Sequence, residues 1–176
     1  SQPEGGLAAL GDTFVLTVAA TGTAPLGYQW YHDGELIFGA SLASLTLADL
    51  GAVDTGKYRI VVQNLAGTVT SDEVSLSVET PPTITLQPES RNAAVGSDIV
   101  LSVTVIGSEP LVYQWSRDGV VLPGSTGAEL ALASLVPSDA GSYTVSISNF
   151  AGLLESDAAV INVIQPVVIA EQPSGS

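Results

Sequence analysis

Apolar and polar residues alternate with a period of two through most of the chain, and β-branched residues are frequent. This spacing places successive side chains on opposite faces of an extended strand. No long stripe has the 3.6-residue spacing of an amphipathic helix. The sequence therefore predicts an all-β protein, with strands at residues 13–20, 26–31, 44–48, 57–63, 69–78, 98–106, 111–117, 129–133, 142–148 and 154–163.

Turn residues separate these predicted strands at close, regular intervals. Asp33-Gly34 and Asp118-Gly119 follow strands and suit tight hairpins whose two central residues need positive φ. Residues 64–67 and 149–152, each with an Asn and a Gly, predict two further hairpin tips. Short strands joined in this way indicate a sandwich or a barrel.

The same pattern occurs twice. Residues 28–30 recur as 113–115, which is 85 residues later, without a gap. A fixed period of this length indicates one folded unit repeated. Thr80-Pro81-Pro82-Thr83 separates the copies, and two prolines favour a short, stiff linker suited to an extended rod. The predicted domains are residues 1–80, which lack a first strand, and 81–164, followed by residues 165–176 as the start of a third repeat or a donated strand.

Each copy carries the same ordered set of a turn glycine, a strand tryptophan, an Asp-x-Gly-x-Tyr run and an Asn-x-Ala-Gly tip. These elements are Gly11, Trp30, 54–58 and 64–67 in the first copy and Gly96, Trp115, 139–143 and 149–152 in the second. The set resembles the immunoglobulin-like domain, closest to the I-set type, in a cysteine-free bacterial form. The resemblance implies two tandem Greek-key β-sandwich domains without disulfides.

The resemblance also implies which residues form the core. Relatives usually have a disulfide that packs against the strand tryptophan. Two residues before the second cysteine of that disulfide they have a tyrosine whose hydroxyl bonds to nearby backbone, an arrangement called a tyrosine corner. This chain has no cysteine, so it lacks a bond typically worth about 2–4 kcal/mol. No arginine stands at the usual partner position of the corner aspartates, so we expect these to bond to local backbone. The expected core anchors are Trp30, Trp115, Tyr58, Tyr143, Val18, Ile60, Val103 and Val145.

Charge narrows the possible partners. The chain has 18 acidic and 4 basic residues and a net charge of −14. Such a surface argues against nucleic acid, which binds through Lys and Arg, and against an anionic membrane. No apolar run reaches about 18 residues, so no membrane insertion is expected. The acids are dispersed, which favours a solvated surface over a calcium site, so no metal site is predicted.

The sequence contains no recognisable set of catalytic residues. His32 is the only histidine, and no Ser/His/Asp order or phosphate-binding loop accompanies it. We therefore predict no enzyme activity, no catalytic residues and no cofactor. Aromatic residues absent from the equivalent positions of the other copy, together with His32, are the candidates for a surface contact: Tyr31, His32, Phe38 and Phe150.

The sequence predicts a non-catalytic structural or adhesive repeat of an extracellular or cell-surface fibre, stalk or filament. Residues 165–169 correspond to 80–84, so the tail carries a surplus first strand. Val167, Val168, Ile169 and Ala170 would enter the first domain of a neighbouring copy, giving head-to-tail self-assembly. Excision from a longer array explains the same ends equally well. The alternative function is a carbohydrate- or protein-binding module of a larger secreted enzyme or adhesin, with a glycan or surface protein as its partner.

Overall fold

The structure, a computed structural model, describes residues 1–167. The chain divides into two compact units, unit 1 from Ser1 to Pro81 and unit 2 from Pro82 onward. Within the described residues every regular element is a strand, apart from two single-turn 3₁₀ helices. The period-two alternation thus gives the expected secondary structure in both units.

Unit 1 has eight strands in two layers. The strands are β1 (Gly6–Ala9), β2 (Phe14–Thr17), β3 (Gly27–His32), β4 (Glu35–Leu36), β5 (Ser44–Leu47), β6 (Gly56–Asn64), β7 (Gly67–Thr70) and β8 (Val74–Glu79), with a 3₁₀ turn at Ala52–Asp54. The larger sheet has the order β1-β8-β6-β3-β4, with β7 paired to β6, and the smaller layer pairs β2 with β5. β1 runs parallel to β8, and the other pairs are antiparallel.

Unit 2 repeats this arrangement and adds a first strand. The strands are β9 (Thr83–Leu86), β10 (Arg91–Ala94), β11 (Ile99–Ser102), β12 (Thr104–Ile106), β13 (Val112–Arg117), β14 (Val120–Val121), β15 (Glu129–Leu132), β16 (Gly141–Asn149), β17 (Gly152–Glu155) and β18 (Ala159–Ile164), with a 3₁₀ turn at Pro137–Asp139. The larger sheet has the order β10-β18-β16-β13-β14, with β17 paired to β16, while β11 pairs with β15 and β12 with β9.

Each unit has its own apolar core between the two layers. The expected anchors of unit 1 lie there: Trp30, Tyr58 and Ile60 are almost fully buried, while Val18 is half-buried against them. In unit 2 the residues at the same places are all buried, namely Trp115, Tyr143, Val145 and Val103. The aliphatic pairs therefore occupy the core positions at which related domains carry a disulfide.

The two Asp-Gly hairpins have the backbone that the sequence predicts. Asp33 and Gly34 have φ of 47° and 87°, and Asp118 and Gly119 have 51° and 77°. The recurrent glutamine beside the tryptophan holds the chain that follows each hairpin. Gln29 Nε2 donates to the carbonyl of Ile37 at 2.8 Å, and the same bond recurs in unit 2.

The prediction of one strand at residues 69–78 and one at 154–163 was wrong, because each of these segments forms two strands. β7 and β8 are separated at Ser71, and β17 and β18 are separated at Ser156. At each break the serine Oγ accepts a hydrogen bond from a backbone N–H of the neighbouring strand, at 3.0 Å. A side chain thus takes the place of a backbone carbonyl, which period-two alternation does not reveal. Residues 98–106 likewise form two strands, β11 and β12.

Candidate functional site

A tyrosine corner closes the turn before the central strand of each unit. The Tyr58 hydroxyl donates to the carbonyl of Asp54 at 2.8 Å, and Tyr143 donates to Asp139 in the same way. The Asp54 carboxylate accepts from the backbone N–H of Gly51 at 2.8 Å. Asp139 accepts in the same way from the backbone N–H of Val136, so both corner aspartates bond to local backbone as expected and stabilise a turn. The expectation that neither has an arginine partner was wrong for unit 2, because Nη1 of Arg117 lies 3.5 Å from Oδ1 of Asp139.

His32 lies on the unit 1 corner. Its ring stacks on Tyr58 with centroids 4.4 Å apart and planes 10° apart, and its Nε2 is 3.3 Å from the carbonyl oxygen of Thr55. Asp33 approaches the same nitrogen at 3.5 Å. In unit 2 the equivalent residue is Arg117, which donates to the carbonyl of Ser138 at 2.9 Å. Both side chains cover the corner, and this geometry gives His32 a packing role.

Burial raises the pKa of the Tyr58 hydroxyl from 10.0 to about 12, and the nearby carboxylates of Asp54 and Asp33 add to the shift. Ionisation of the unfolded tyrosine near pH 10 therefore opposes folding, because the folded state resists losing this proton. The neutral phenol contributes its stability fully below pH 10, and that contribution is lost as pH rises through about 12.

We expect Tyr58→Phe to make the stability of unit 1 less sensitive to alkali. The variant should lose about 1 kcal/mol near pH 8, because its bond to the Asp54 carbonyl is gone. It should then show a shallower fall in stability than the parent chain between pH 10 and 12. Urea titrations at a series of pH values measure both effects, and equal slopes above pH 10 in the two proteins would contradict the assignment.

The four candidate contact residues are spread over different elements, three of them in unit 1 and Phe150 in unit 2. Phe38 lies in the loop after β4 and is 98% exposed, and Phe150 lies at the β16–β17 turn and is 60% exposed. Tyr31 and His32 are consecutive on β3 and so point to opposite faces of the sheet. Tyr31 faces outward, whereas His32 packs on Tyr58.

Tyr31 has a partner that the sequence analysis missed. Arg59 on β6 lies directly opposite Tyr31, and its guanidinium carbon is 4.1 Å from the centre of the tyrosine ring. Lys57, two residues earlier on the same strand, shares this outer face, and its Nζ lies 3.7 Å from Oε2 of Glu73. The sequence does contain a signal for this basic pair, because Lys57 and Arg59 are two residues apart in the predicted strand 57–63. At the equivalent positions of unit 2 the chain has Ser142 and Thr144.

A second feature is a cleft beside the backbone that follows β2. The N-terminal amino group of Ser1 donates to the carbonyl of Ala19 at 2.7 Å, and beyond this contact lies a cleft of about 300 Å³. Its apolar lining includes Val18, Ala20, Ile60, Val62 and Val69. At the same place in unit 2, β9 pairs with β12 and Ile84 packs against the core.

The described residues contain neither a cluster of metal-ligating side chains nor a long apolar helix. Across residues 1–167, no group of three or more His, Asp or Glu side chains is placed to hold a metal ion. In the same part of the chain, no helix has the length and apolar character needed to cross a membrane.

Comparison with known proteins gives one family and several relatives. Residues 81–149 match the family described as immunoglobulin domain. The chain is 33% identical over 165 residues to the mouse basement membrane-specific heparan sulfate proteoglycan core protein, an alignment covering 86% of this chain and 4% of that protein. It is 31% identical over 176 residues to mouse Hemicentin-1, covering 93% and 3%. Mouse cell adhesion molecule DSCAML1 is 25% identical over 92% of this chain and 9% of its own length.

Solved structures show the same fold. An I-band fragment of titin superposes with a TM-score of 0.82 at 23% identity, covering 94% of this chain and 64% of the fragment. Immunoglobulin domains 1–4 of Sidekick-1 superpose with a TM-score of 0.79 at 21% identity, covering 93% and 48%. Compared with the proteoglycan core protein, Hemicentin-1 and DSCAML1, the chain spans less than a tenth of the length of each.

Proposed function

We propose that this chain, which consists of two tandem immunoglobulin-like domains without cysteine, is a non-catalytic structural or adhesive repeat of an extracellular or cell-surface fibre, stalk or filament. The observation that carries the proposal is the bonding of the side chains that recur between the units. The indole nitrogens of Trp30 and Trp115 donate to backbone carbonyls of their own units, at 3.0 and 2.9 Å. The corner tyrosines and the paired glutamines do the same, so what repeats is a scaffold.

The relatives and the charge support this role. A basement membrane proteoglycan core protein and a cell adhesion molecule are among the relatives, which favours a location outside the cell. A net charge of −14 keeps such a chain soluble and opposes binding to nucleic acid. Protein partners, including further copies of the repeat, fit these properties best.

A finer proposal is that chains join head to tail by strand donation. The cleft beside Ala20 would take an extended strand in the way that β12 takes β9, where Val105 lies opposite Ile84. By the 85-residue repeat, Ile169 corresponds to Ile84 and would lie opposite Ala20 of the neighbouring molecule. Val168, Ile169 and Ala170 lie outside the described residues, and Val167 is fully exposed. A strand added at an open sheet edge gains backbone hydrogen bonds and, here, apolar contacts.

Negative-stain microscopy with light scattering across concentration tests strand donation. We expect the full chain to form filaments with a regular axial repeat, because a head-to-tail contact does not close on itself. Deletion of residues 165–176 should leave monomers. Ile169→Asp should do the same, since it places a charge in the apolar cleft, whereas Ser174→Asp adds the same charge in the same tail and should leave assembly intact. Filaments in the deletion variant, or monomers of the full chain at every concentration, would contradict the donation step and leave the structural role standing.

A further inference from the structure

Arg59 differs from every other cation of this chain. The chain has four Lys and Arg residues against 18 carboxylates. Within residues 1–167, Lys57, Arg91 and Arg117 each lie 3.5 to 3.7 Å from a carboxylate oxygen. The guanidinium of Arg59 makes no ion pair or hydrogen bond in that part of the chain, and it lies over the ring of Tyr31. An unpaired guanidinium in so acidic a chain is a candidate for binding an external carboxylate.

The contact with Tyr31 prepares Arg59 for that task. Its guanidinium carbon lies over the ring, 4.1 Å from the ring centre, so the aromatic face holds the cation from one side. A guanidinium has five N–H donors and can donate two of them side by side to a planar carboxylate. Tyr31 also restricts the side chain, which reduces the entropy that binding would otherwise cost.

The fold itself does not need this pair. At the same places unit 2 has Ser116 opposite Thr144, and its sandwich forms with the same strand order. Leu36 lies beside Tyr31 on the next strand and is 53% exposed, so an apolar side chain extends the row across β4, β3 and β6. The row is thus specific to unit 1, with Leu36 exposed and with Tyr31 and Arg59 half-buried.

We propose that this cationic face, defined by Leu36, Tyr31, Arg59 and Lys57, binds an extended acidic segment of a partner protein. Lys57 and Arg59 are two residues apart on one strand, so their side chains emerge about 6.6–6.8 Å apart on the same face. Alternate side chains of an extended peptide have the same spacing, so acidic residues at every second position match both cations. Tyr and Arg, together with Trp, are also enriched among the residues that dominate the energy of protein interfaces.

The contact of Lys57 with Glu73 does not prevent this binding. Both side chains are largely exposed, at 64% and 49%, and their charged atoms are 3.7 Å apart. Exposed ion pairs of this kind are weak and exchange readily with other partners. A peptide carboxylate held in addition by Arg59 can therefore replace Glu73. This site is separate from the strand-donation cleft, and the proposed structural role does not depend on it.

The test uses a fluorescein-labelled peptide of alternating Glu and Ser, measured by fluorescence anisotropy against the full chain in 25 mM and 150 mM salt. We expect binding that weakens with salt and falls about tenfold in Arg59→Thr, because a charge-assisted hydrogen-bonded pair is lost. Threonine is the unit 2 residue at this place, so the variant should keep the strand. Arg91→Thr is the matched control, because it removes the same charge from an exposed arginine of unit 2.

Four results would overturn the proposal. Equal loss in the Arg59 and Arg91 variants would reduce the effect to overall charge. No binding of the peptide even in 25 mM salt would remove the acidic segment as a partner. Binding of a uronic acid oligosaccharide without binding of the peptide would assign the face to a glycan. Arg59-dependent self-association in sedimentation, with no peptide binding, would assign it to a second copy. Thermal unfolding of each variant confirms that the fold is retained.

Discussion

Trp30→Ala is expected to lower the free energy of unfolding of unit 1 by about 3–5 kcal/mol. The indole is fully buried at the centre of the core, and its N–H donates to the carbonyl of Leu42 at 3.0 Å. Truncation therefore leaves a cavity and removes the partner of a backbone carbonyl at once. No disulfide limits the unfolded state of this unit, so the core carries a larger share of its stability.

The chain provides its own control for this experiment, because each unit contains one tryptophan. In Trp30→Ala the fluorescence of Trp115 reports unit 2 alone, and its urea transition should stay where it is in the parent chain. Circular dichroism then follows the early loss of unit 1. Trp115→Ala should reverse the two roles, since its indole is equally buried and donates to Gly127. A loss below about 1 kcal/mol in either variant would be incompatible with a core packed around the indole.

Much of the fold could be predicted because the chain presents its pattern twice. Alternation identifies the strands, and two copies of Asp-Gly and of Tyr-Gln-Trp separate scaffold positions from local variation. The hairpin at Asp33 illustrates this, since the turn residues require positive φ and the structure has it. Such features depend on residues close together in sequence, where local steric rules decide the outcome.

Features that depend on contacts between distant residues could not be predicted in this way. The short strands β1, β4, β9, β10 and β14 lie mostly at sheet edges and have too few residues to show alternation. The Tyr31–Arg59 contact needs the register of β3 against β6, which the hydrophobic pattern alone leaves open. A basic residue on a predicted outward face was visible in the sequence, but its aromatic partner was not.

The break in the last strand of each unit shows how one side chain sets a local structure. Ser156 donates its backbone N–H to the carbonyl of Val145 at 2.9 Å, while its Oγ accepts from the N–H of Val145 at 3.0 Å. The same Oγ donates to the carbonyl of Asp157 at 2.9 Å. The serine therefore completes the pairing of Val145 at the place where the strand leaves the ladder. Ser71 forms the same set of bonds with Ile60 and Asp72 in unit 1.

Ser156→Ala should for this reason destabilise unit 2 by about 1–3 kcal/mol, the cost of leaving a buried backbone N–H without an acceptor. Ser156 is only 8% exposed, whereas Ser71 is half-buried, so water can reach the N–H of Ile60 more easily than that of Val145. Ser71→Ala is thus the matched variant and should cost less. Urea unfolding measures both, and hydrogen exchange should show faster loss of protection at the Val145 amide. Equal costs would mean that the hydroxyl bond, and not its burial, sets the energy, because the two serines share every bond and differ in exposure.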